Sequence, residues 1–323
     1  MEKSVRHYSI PVFVPHEGCP NTCLFCNQRS ISGKERFDIG TVRQEIDTCL
    51  STIKDAEVQI AFFGGSFTAI DRSLMLSLLE ISDEYVERGL VQSVRLSTRP
   101  DAVGKDVLKV LKEHHVRDVE LGIQSLDDKV LCLNRRGHTS QCALDAMKRV
   151  VDEGFNLTGQ MMTGMYGATG ESELFTAEKI VECGAGSARI YPTVVFRNTA
   201  LDDIKNKGLF VPLTLDESVE RTLGAYRIFK RAGVKVIRIG LCSADNVRGE
   251  DATSLYHEAI GELVLCRDRR DIAEEYILSH PTEKGGVLEI PVDKKEVSLF
   301  VGQRKANREY LEEKYKIKIK FVF

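Results

Sequence analysis

Short apolar or β-branched runs recur along the first three quarters of the chain, each followed by a helix-length segment. They fall at residues 8–14, 58–63, 93–98, 118–123, 155–162 and 187–191, and most are closed by a Gly or Pro, as at Gly64-Gly65, Pro100, Gly164 and Pro192. Between them apolar residues return at spacings of three and four over 72–87, 102–114, 139–153 and 171–183, the period of an amphipathic helix. Residues 216–231 repeat that pattern, with Thr214 or Asp216 as N-cap and Gly233 as the stop. Strands alternating with helices about every 30 residues predict right-handed βαβ units and a parallel sheet. Six such units predict an α/β fold closed as a full or partial barrel, with reactive groups at the C-terminal ends of the strands.

A seventh strand-like run, 234–241, follows the helix at 216–231. Beyond about 245 the rhythm breaks. A helix is expected over 254–265, a Pro/Gly-rich turn over 280–286 and a lysine-alternating strand at the end. The expected division is a core barrel over 1–243 and a small α+β C-terminal extension over 244–323.

Composition sharpens the picture in two respects. Lys plus Arg total 45 against 48 Asp plus Glu, a net charge of −3, which excludes a wholly electrostatic nucleic-acid binder but leaves room for a local basic patch. No apolar run approaches the roughly 18 residues that span a bilayer, and residues 10–15 are too short for a signal-peptide core. The expectation is a cytoplasmic protein with no membrane partner. The 9 cysteines lie at 19, 23, 26, 49, 132, 142, 183, 242 and 266. An odd count in a chain of this length argues against a secreted disulfide scaffold.

Three of these cysteines form the loop Cys19-Pro-Asn-Thr-Cys23-Leu-Phe-Cys26, directly after the first strand. Three thiolates on one short loop can bind three irons of a [4Fe–4S] cluster and leave the fourth for an exogenous ligand. A structural zinc site would need a fourth ligand at finger-like spacing. His16 is close, but no second C-x2-C pair exists. Cys49, Cys132, Cys142 and Cys183 fall in helical patterns and read as packing. His257, Cys242 and Cys266 are too widely spaced for a compact second metal site. The other strand ends carry Gly64-Gly65-Ser66, Ser97-Thr98-Arg99-Pro100-Asp101, Glu120-Leu-Gly-Ile-Gln124, Asn134-Arg135-Arg136-Gly137-His138-Thr139, Gln160-Met-Met-Thr-Gly164 and Tyr191-Pro192.

The C-x3-C-x2-C loop with an aromatic before its third Cys resembles the signature of the radical S-adenosylmethionine (SAM) superfamily. Over roughly residues 8–242 the strand-end motifs most resemble the radical-SAM domain of the elongator catalytic subunit, and next the coproporphyrinogen dehydrogenase type. The resemblance implies a partial (β/α)6 barrel of the TIM type. It also implies a [4Fe–4S] cluster on Cys19, Cys23 and Cys26 that reductively cleaves SAM to a hydrogen-abstracting 5′-deoxyadenosyl radical. It places SAM contacts at Gly64, Gly65, Ser66, Ser97, Arg99, Glu120, Gln124, Arg136, Gln160 and Tyr191, and implies an electron donor such as flavodoxin or ferredoxin. His257 and Glu262 are substrate-site candidates by the same likeness. Two departures stand out: the interval between the first two cysteines is shorter than in that subunit, and no segment here is long enough for an acetyltransferase domain.

Between Arg304 and Lys320, seven basic residues face three glutamates, a local excess of +4. This tail reads either as a lysine-blunted sheet edge or as a patch for an RNA backbone. The favoured expectation is a radical SAM enzyme acting on a tRNA or rRNA nucleoside. The alternatives are a small anionic metabolite such as a tetrapyrrole as substrate, or a non-catalytic iron–sulfur, SAM-responsive RNA-binding module.

Overall fold

A computed structural model of the chain describes residues 6–14, 19, 23–26, 37–241 and 251–323. Seven parallel strands make one sheet in sequential order: β1 (Arg6–Val14), β2 (Ala56–Gly64), β3 (Ser93–Thr98), β4 (Val116–Gln124), β5 (Asn156–Thr163), β6 (Ser187–Pro192) and β7 (Lys235–Ile239). Each crossover carries a helix. These are α1 (Val42–Thr52), α2 (Arg72–Glu87), α3 (Lys105–Glu113), α4 (Asp128–Leu133) with α5 (Ser140–Asp152), α6 (Gly170–Glu182), and α7 (Ala200–Asn206) with α8 (Leu215–Arg231). Side-chain oxygens of Asp71, Asp127, Thr139, Thr169, Thr199 and Thr214 cap their helices. Thr214 and Glu217 form the reciprocal capping box of α8, and Gly233 (φ +71°) follows its end in the left-handed conformation that glycine adopts without strain.

Alternate strand positions part the sheet into two chemistries. Ile10, Val12, Ile60, Phe62, Leu96, Val119, Leu121, Ile123, Met161 and Ile190 face the helices and form the main core. The opposite face is polar, and side chains cross it between strands that do not touch as neighbours. Gln59 on β2 bonds Asp118 on β4, Arg95 on β3 bonds Thr158 on β5 (2.8 Å), and Arg189 on β6 lies 5.6 Å from the ring of Phe63 on β2. Strands β2 and β6 would be about 19 Å apart in a flat sheet, at about 4.8 Å per strand. Their contact shows that the sheet curls with its polar face inward. This is the expected partial barrel, with β7 added as the anticipated seventh strand and no pairing of β1 to β7 among the described residues.

The C-terminal segment differs from expectation in detail. The helix expected at 254–265 begins later and runs much further, as α9 (Ile260–Ser279). The final strand is shorter, because α11 (Ala306–Tyr315) occupies its first residues and Lys316 turns the chain at φ +56°. Strand β9 (Lys318–Val322) pairs in parallel with β8 (Val287–Pro291), and α10 (Val297–Val301) lies between the two in sequence. Helix α9 serves two cores. Ile260 and Val264 pack with Val219, Leu223 and Ile239 of the barrel, whereas Ala273 and Ile277 pack with Ile290, Phe300, Leu311, Ile317 and Ile319. Between these stretches sits Asp268, whose buried carboxylate accepts from Arg227 (2.9 Å) and Lys230 (2.8 Å) of α8 and from Arg269. Cys132 is exposed and so is not a packing residue, whereas Cys49 and Cys183 pack on the core; Cys242 lies outside the described residues. No helix among the described residues is long and apolar enough to cross a membrane.

Replacing Asp268 should weaken the tie between the two cores without separating their unfolding. Removing one member of a buried ion pair costs about 3–5 kcal/mol. Arg227 and Lys230 are partly exposed and can re-solvate, so Asp268→Asn should lower stability by about 3 kcal/mol, read as a shift in the urea midpoint at unchanged m-value.

Candidate active site

The C-terminal ends of β1 to β6 converge on one mouth of the curled sheet, and the thiol loop lies there. Leu24 N–H donates to the carbonyl of Asn134 (3.2 Å), and the Leu24 carbonyl accepts from Leu201 N–H (2.9 Å). Asn134 in turn donates through its side chain to the carbonyls of Val130 and Tyr166 (both 2.8 Å). One buried amide thus ties the cysteine loop to the segments after β4 and β5. The Cys26 N–H closes a turn on the Cys23 carbonyl (3.1 Å). Cys23 is buried and Cys19 and Cys26 are half-buried. The three thiols share the loop without being drawn together as a ligand set in the described residues.

Two arginines meet this loop. Arg136 Nη1 donates to Cys23 Sγ (3.2 Å) and Nη2 to the Gly122 carbonyl (2.6 Å). Arg99 forms a fork with Asp101 (2.9 and 2.8 Å) and donates to the Arg136 carbonyl (2.9 Å), so it positions Arg136. Burial opposes the charge on Arg99, but Asp101 and the thiols of Cys23 and Cys19 outweigh it and hold the guanidinium above its ordinary value. The cationic groups therefore stand where thiolates would need compensation.

Two glycines make the mouth possible. A Cβ on Gly64 (φ +124°) would stand 2.0 Å from the Val14 carbonyl oxygen, so only glycine lets β2 close on β1 there. A Cβ on Gly122 would crowd the Gln124 amide at 3.1 Å and the Arg136 guanidinium at 3.5 Å. A register shift between Gly122 and Gln124, with Gln124 at φ +66°, ends β4 in a strained conformation of the kind that accompanies re-aimed side chains. Around this rim, Ser66 Oγ, Ser97 Oγ, Gln124 Oε1 and Arg136 Nε are buried with no hydrogen-bond partner among the described residues. Unpaired buried polar atoms are costly, so this concentration marks a place built for a polar ligand. The donors and acceptors suit the amino and carboxylate groups of an amino-acid moiety, and three thiols on one loop suit an iron–sulfur cluster.

The remaining candidates divide. Gln160 sits in register between Gly122 and Arg189, one layer beneath the rim. Tyr191 accepts from Arg189 Nη1 (3.2 Å). Glu120 is the exception: its carboxylate faces the concave interior between Arg189 (2.8 Å) and Arg95 (3.6 Å), below the strand ends. His257 lies with Tyr256 beside Pro192, Thr193 and Gly240 in a small cleft at the ends of β6 and β7, whereas Glu262 is exposed on the first turn of α9. The basic tail is compensated in part, by Glu312 within it and by two carboxylates distant in sequence. Lys314 pairs with Glu274, Lys318 and Arg308 with Glu312, and Lys320 with Glu289.

Sequence patterning did not single out Asn134 or Glu173. The latter, almost fully buried on α6, grips Arg221 of α8 through both oxygens (2.6 Å each) and accepts the Gly164 N–H (2.6 Å), which fixes the end of β5. In sequence it is one of two acids in a first helical turn, where a solvent-facing role complementing the helix dipole is the ordinary reading.

Comparison with known proteins agrees with this geometry. Residues 13–180 match the family model of the radical SAM superfamily, and residues 186–269 match that of the radical SAM C-terminal domain. The tRNA uridine(34) acetyltransferase of Methanocaldococcus jannaschii is 26% identical over 68% of this chain, which spans 49% of that protein. The heme chaperone HemW of Lactococcus lactis is 22% identical over 94% of the chain and 84% of its own length. The solved structure of Methanocaldococcus infernus Elp3, lacking its N-terminus, has the same fold, with a TM-score of 0.64 and 19% identity over 85% of this chain and 64% of that one.

Beside Arg136, His138 gives the site a measurable pH signature. Burial, then the Arg136 charge, push its pKa from 6.5 down to about 4. The folded state therefore holds it neutral while the unfolded chain takes up a proton below about 6.5. Stability should fall on acidification between those values, by about 1.4 kcal/mol per pH unit. Urea titrations at pH 7, 6 and 5 should show a shallower slope for His138→Gln than for the parent.

Proposed function

Because the chain belongs to the radical SAM superfamily, we propose that it is a SAM-cleaving, iron–sulfur-dependent enzyme whose substrate is an RNA nucleoside, with tRNA foremost. The observation that carries this reading is the pairing of the thiol loop with Arg136 and Arg99 beside a rim of buried, partnerless polar atoms. In this reading Cys19, Cys23 and Cys26 hold a [4Fe–4S] cluster, and Ser66, Ser97, Gln124 and Arg136 receive SAM, with Gly64 and Gly65 allowing close backbone approach. When bound and reduced by a donor such as flavodoxin or ferredoxin, these groups supply a 5′-deoxyadenosyl radical that abstracts a hydrogen atom from the substrate.

The chain's own residues do the positioning. Arg136 offers its guanidinium to both a cysteine sulfur and the rim, Arg99 and Asp101 hold it there, and Asn134 keeps the thiol loop against the strand ends. Tyr191 stands at the rim and Gln160 one layer beneath it, on the face through which a substrate would enter. Preorganisation of this kind lowers the reorganisation needed when reacting groups meet. Support for an RNA substrate comes from the tRNA-modifying relative, of which this chain spans about half, so the acyl transfer named for that protein is not part of the proposal. The paired charges of the C-terminal tail give RNA binding less support than the sequence count suggested.

A second reading, a non-catalytic module, draws on the near full-length match to a protein named as a heme chaperone. Anaerobic reconstitution with iron and sulfide, then dithionite and SAM, separates the two by mass-spectrometric assay of 5′-deoxyadenosine. Parent protein should form it, and Cys23→Ala should fall to background. Added tRNA should stimulate it and bind with steep salt dependence. A fully loaded, reducible protein that forms none, with or without RNA, would favour the second reading.

A further inference from the structure

Among the described residues, the middle of the concave face carries more positive charge than its own carboxylates balance. Arg95, Arg189 and Arg238 point into it from β3, β6 and β7, against Asp118 and Glu120 of β4. Glu120 is nearly buried, with 3% of its side chain exposed, and is shared by Arg189 and Arg95, which are 17% and 12% exposed. Asp118 is engaged by Gln59. Among the described residues, Arg238 donates to backbone carbonyls, those of Gly240 (3.1 Å) and Leu241 (3.0 Å). Arg95 Nε is buried without a hydrogen-bond partner. Burial, the largest influence, and repulsion from Arg189 lower the pKa of Arg95 in spite of Glu120. A desolvated guanidinium lacking a full share of negative charge is costly, and a curled sheet open at its mouth can offset that cost with a bound anion.

The register gives the level at which such an anion would lie. Gly122, Gln160, Arg189 and Arg238 form one row across β4 to β7. Gln124, Met162 and Tyr191 stand two residues further on, at the rim. Two residues of strand span about 7 Å.

We infer that this row is an oxyanion subsite in which Arg189 and Arg238 receive a carboxylate or phosphate of the substrate, with Arg95 adding positive charge from the layers beneath. The inference rests on the reading above, in which the substrate enters this face, and adds that the attacked carbon lies within about 7 Å of an anionic group. Guanidinium forks suit both oxyanions, so the two sources are separated by experiment.

The test uses cluster-loaded protein with saturating SAM, so that the cluster end is filled, and measures calorimetric binding of inorganic phosphate, malonate and uridine 5′-monophosphate. Arg189→Gln and Arg238→Gln should each weaken the preferred anion by about tenfold or more, whereas Glu120→Gln, which removes the competing internal anion, should tighten it by a similar factor. Arg238→Gln breaks these contacts to backbone carbonyls and is the variant expected to keep the native fold. A purely structural role for these residues predicts no gain in Glu120→Gln. Preference for phosphate or the nucleotide identifies a phosphate source, and preference for malonate a carboxylate source. No binding by any probe, or equal binding in all variants, overturns the subsite. Formation of 5′-deoxyadenosine in the same preparations is scored separately, so failure of the subsite and failure of the radical SAM reading give different results.

Discussion

Glu120 ties together strands of the curled sheet that the backbone ladder leaves apart. Its carboxylate bridges Arg95 on β3 and Arg189 on β6, strands separated by two others, and Arg189 then reaches Phe63 on β2. Parallel strands buried on both faces are ordinarily apolar throughout. Here the helix-facing side obeys that rule and the concave side does not. Charges on the concave side pull the sheet inward, and the curl is what brings the strand ends to a common mouth. The thiol loop, Arg136 and the orphaned polar atoms of the rim are neighbours only because of it.

The barrel was legible because its strands and helices bury one face each. Residues 93–98 and 72–87 show the expected periods, and the observed elements coincide with them. Helix α9 shows why the rest was not. An amphipathic stripe signals a helix packed on one partner, but α9 passes from the barrel core to the C-terminal core and buries Asp268 between them, so no single stripe runs its length. Residues 254–259 supplied apolar spacing without a helix, and the charged run at 267–271 hid one. Helix α1 was given no bounds, although Cys49 reads as lying in a helical pattern and Val42, Ile46 and Leu50 carry the spacing.

The site divides along the same line. Motifs at strand ends could be placed from alternation and the βα rhythm, since C-terminal strand ends gather functional groups. What each side chain touches could not. The charge excess of the tail, counted along the chain, shrank once Glu274 and Glu289 arrived from other elements. Glu120, expected among the SAM contacts, has two arginine partners from different strands. Glu173 gave no sign of holding Gly164. In each case the deciding partner is distant in sequence, and patterning along one chain reports local geometry only.

This separation also explains how one face can serve two chemical tasks. The rim ends in backbone turns, glycines and unpaired donors, which suit a ligand approached closely by main chain. One layer below, the groups are long, charged side chains held by each other, which suit a ligand that brings its own charge. A layer of strand is about 7 Å deep, enough to keep the two from competing for the same arginines. Arg136 is committed to the thiol loop and Arg99 to holding Arg136, whereas Arg189 from above and Arg95 from below share Glu120. Cationic groups thus stand at two levels of the sheet, and a substrate that is anionic at one end and reactive at the other would be oriented by the level whose charge is less fully balanced.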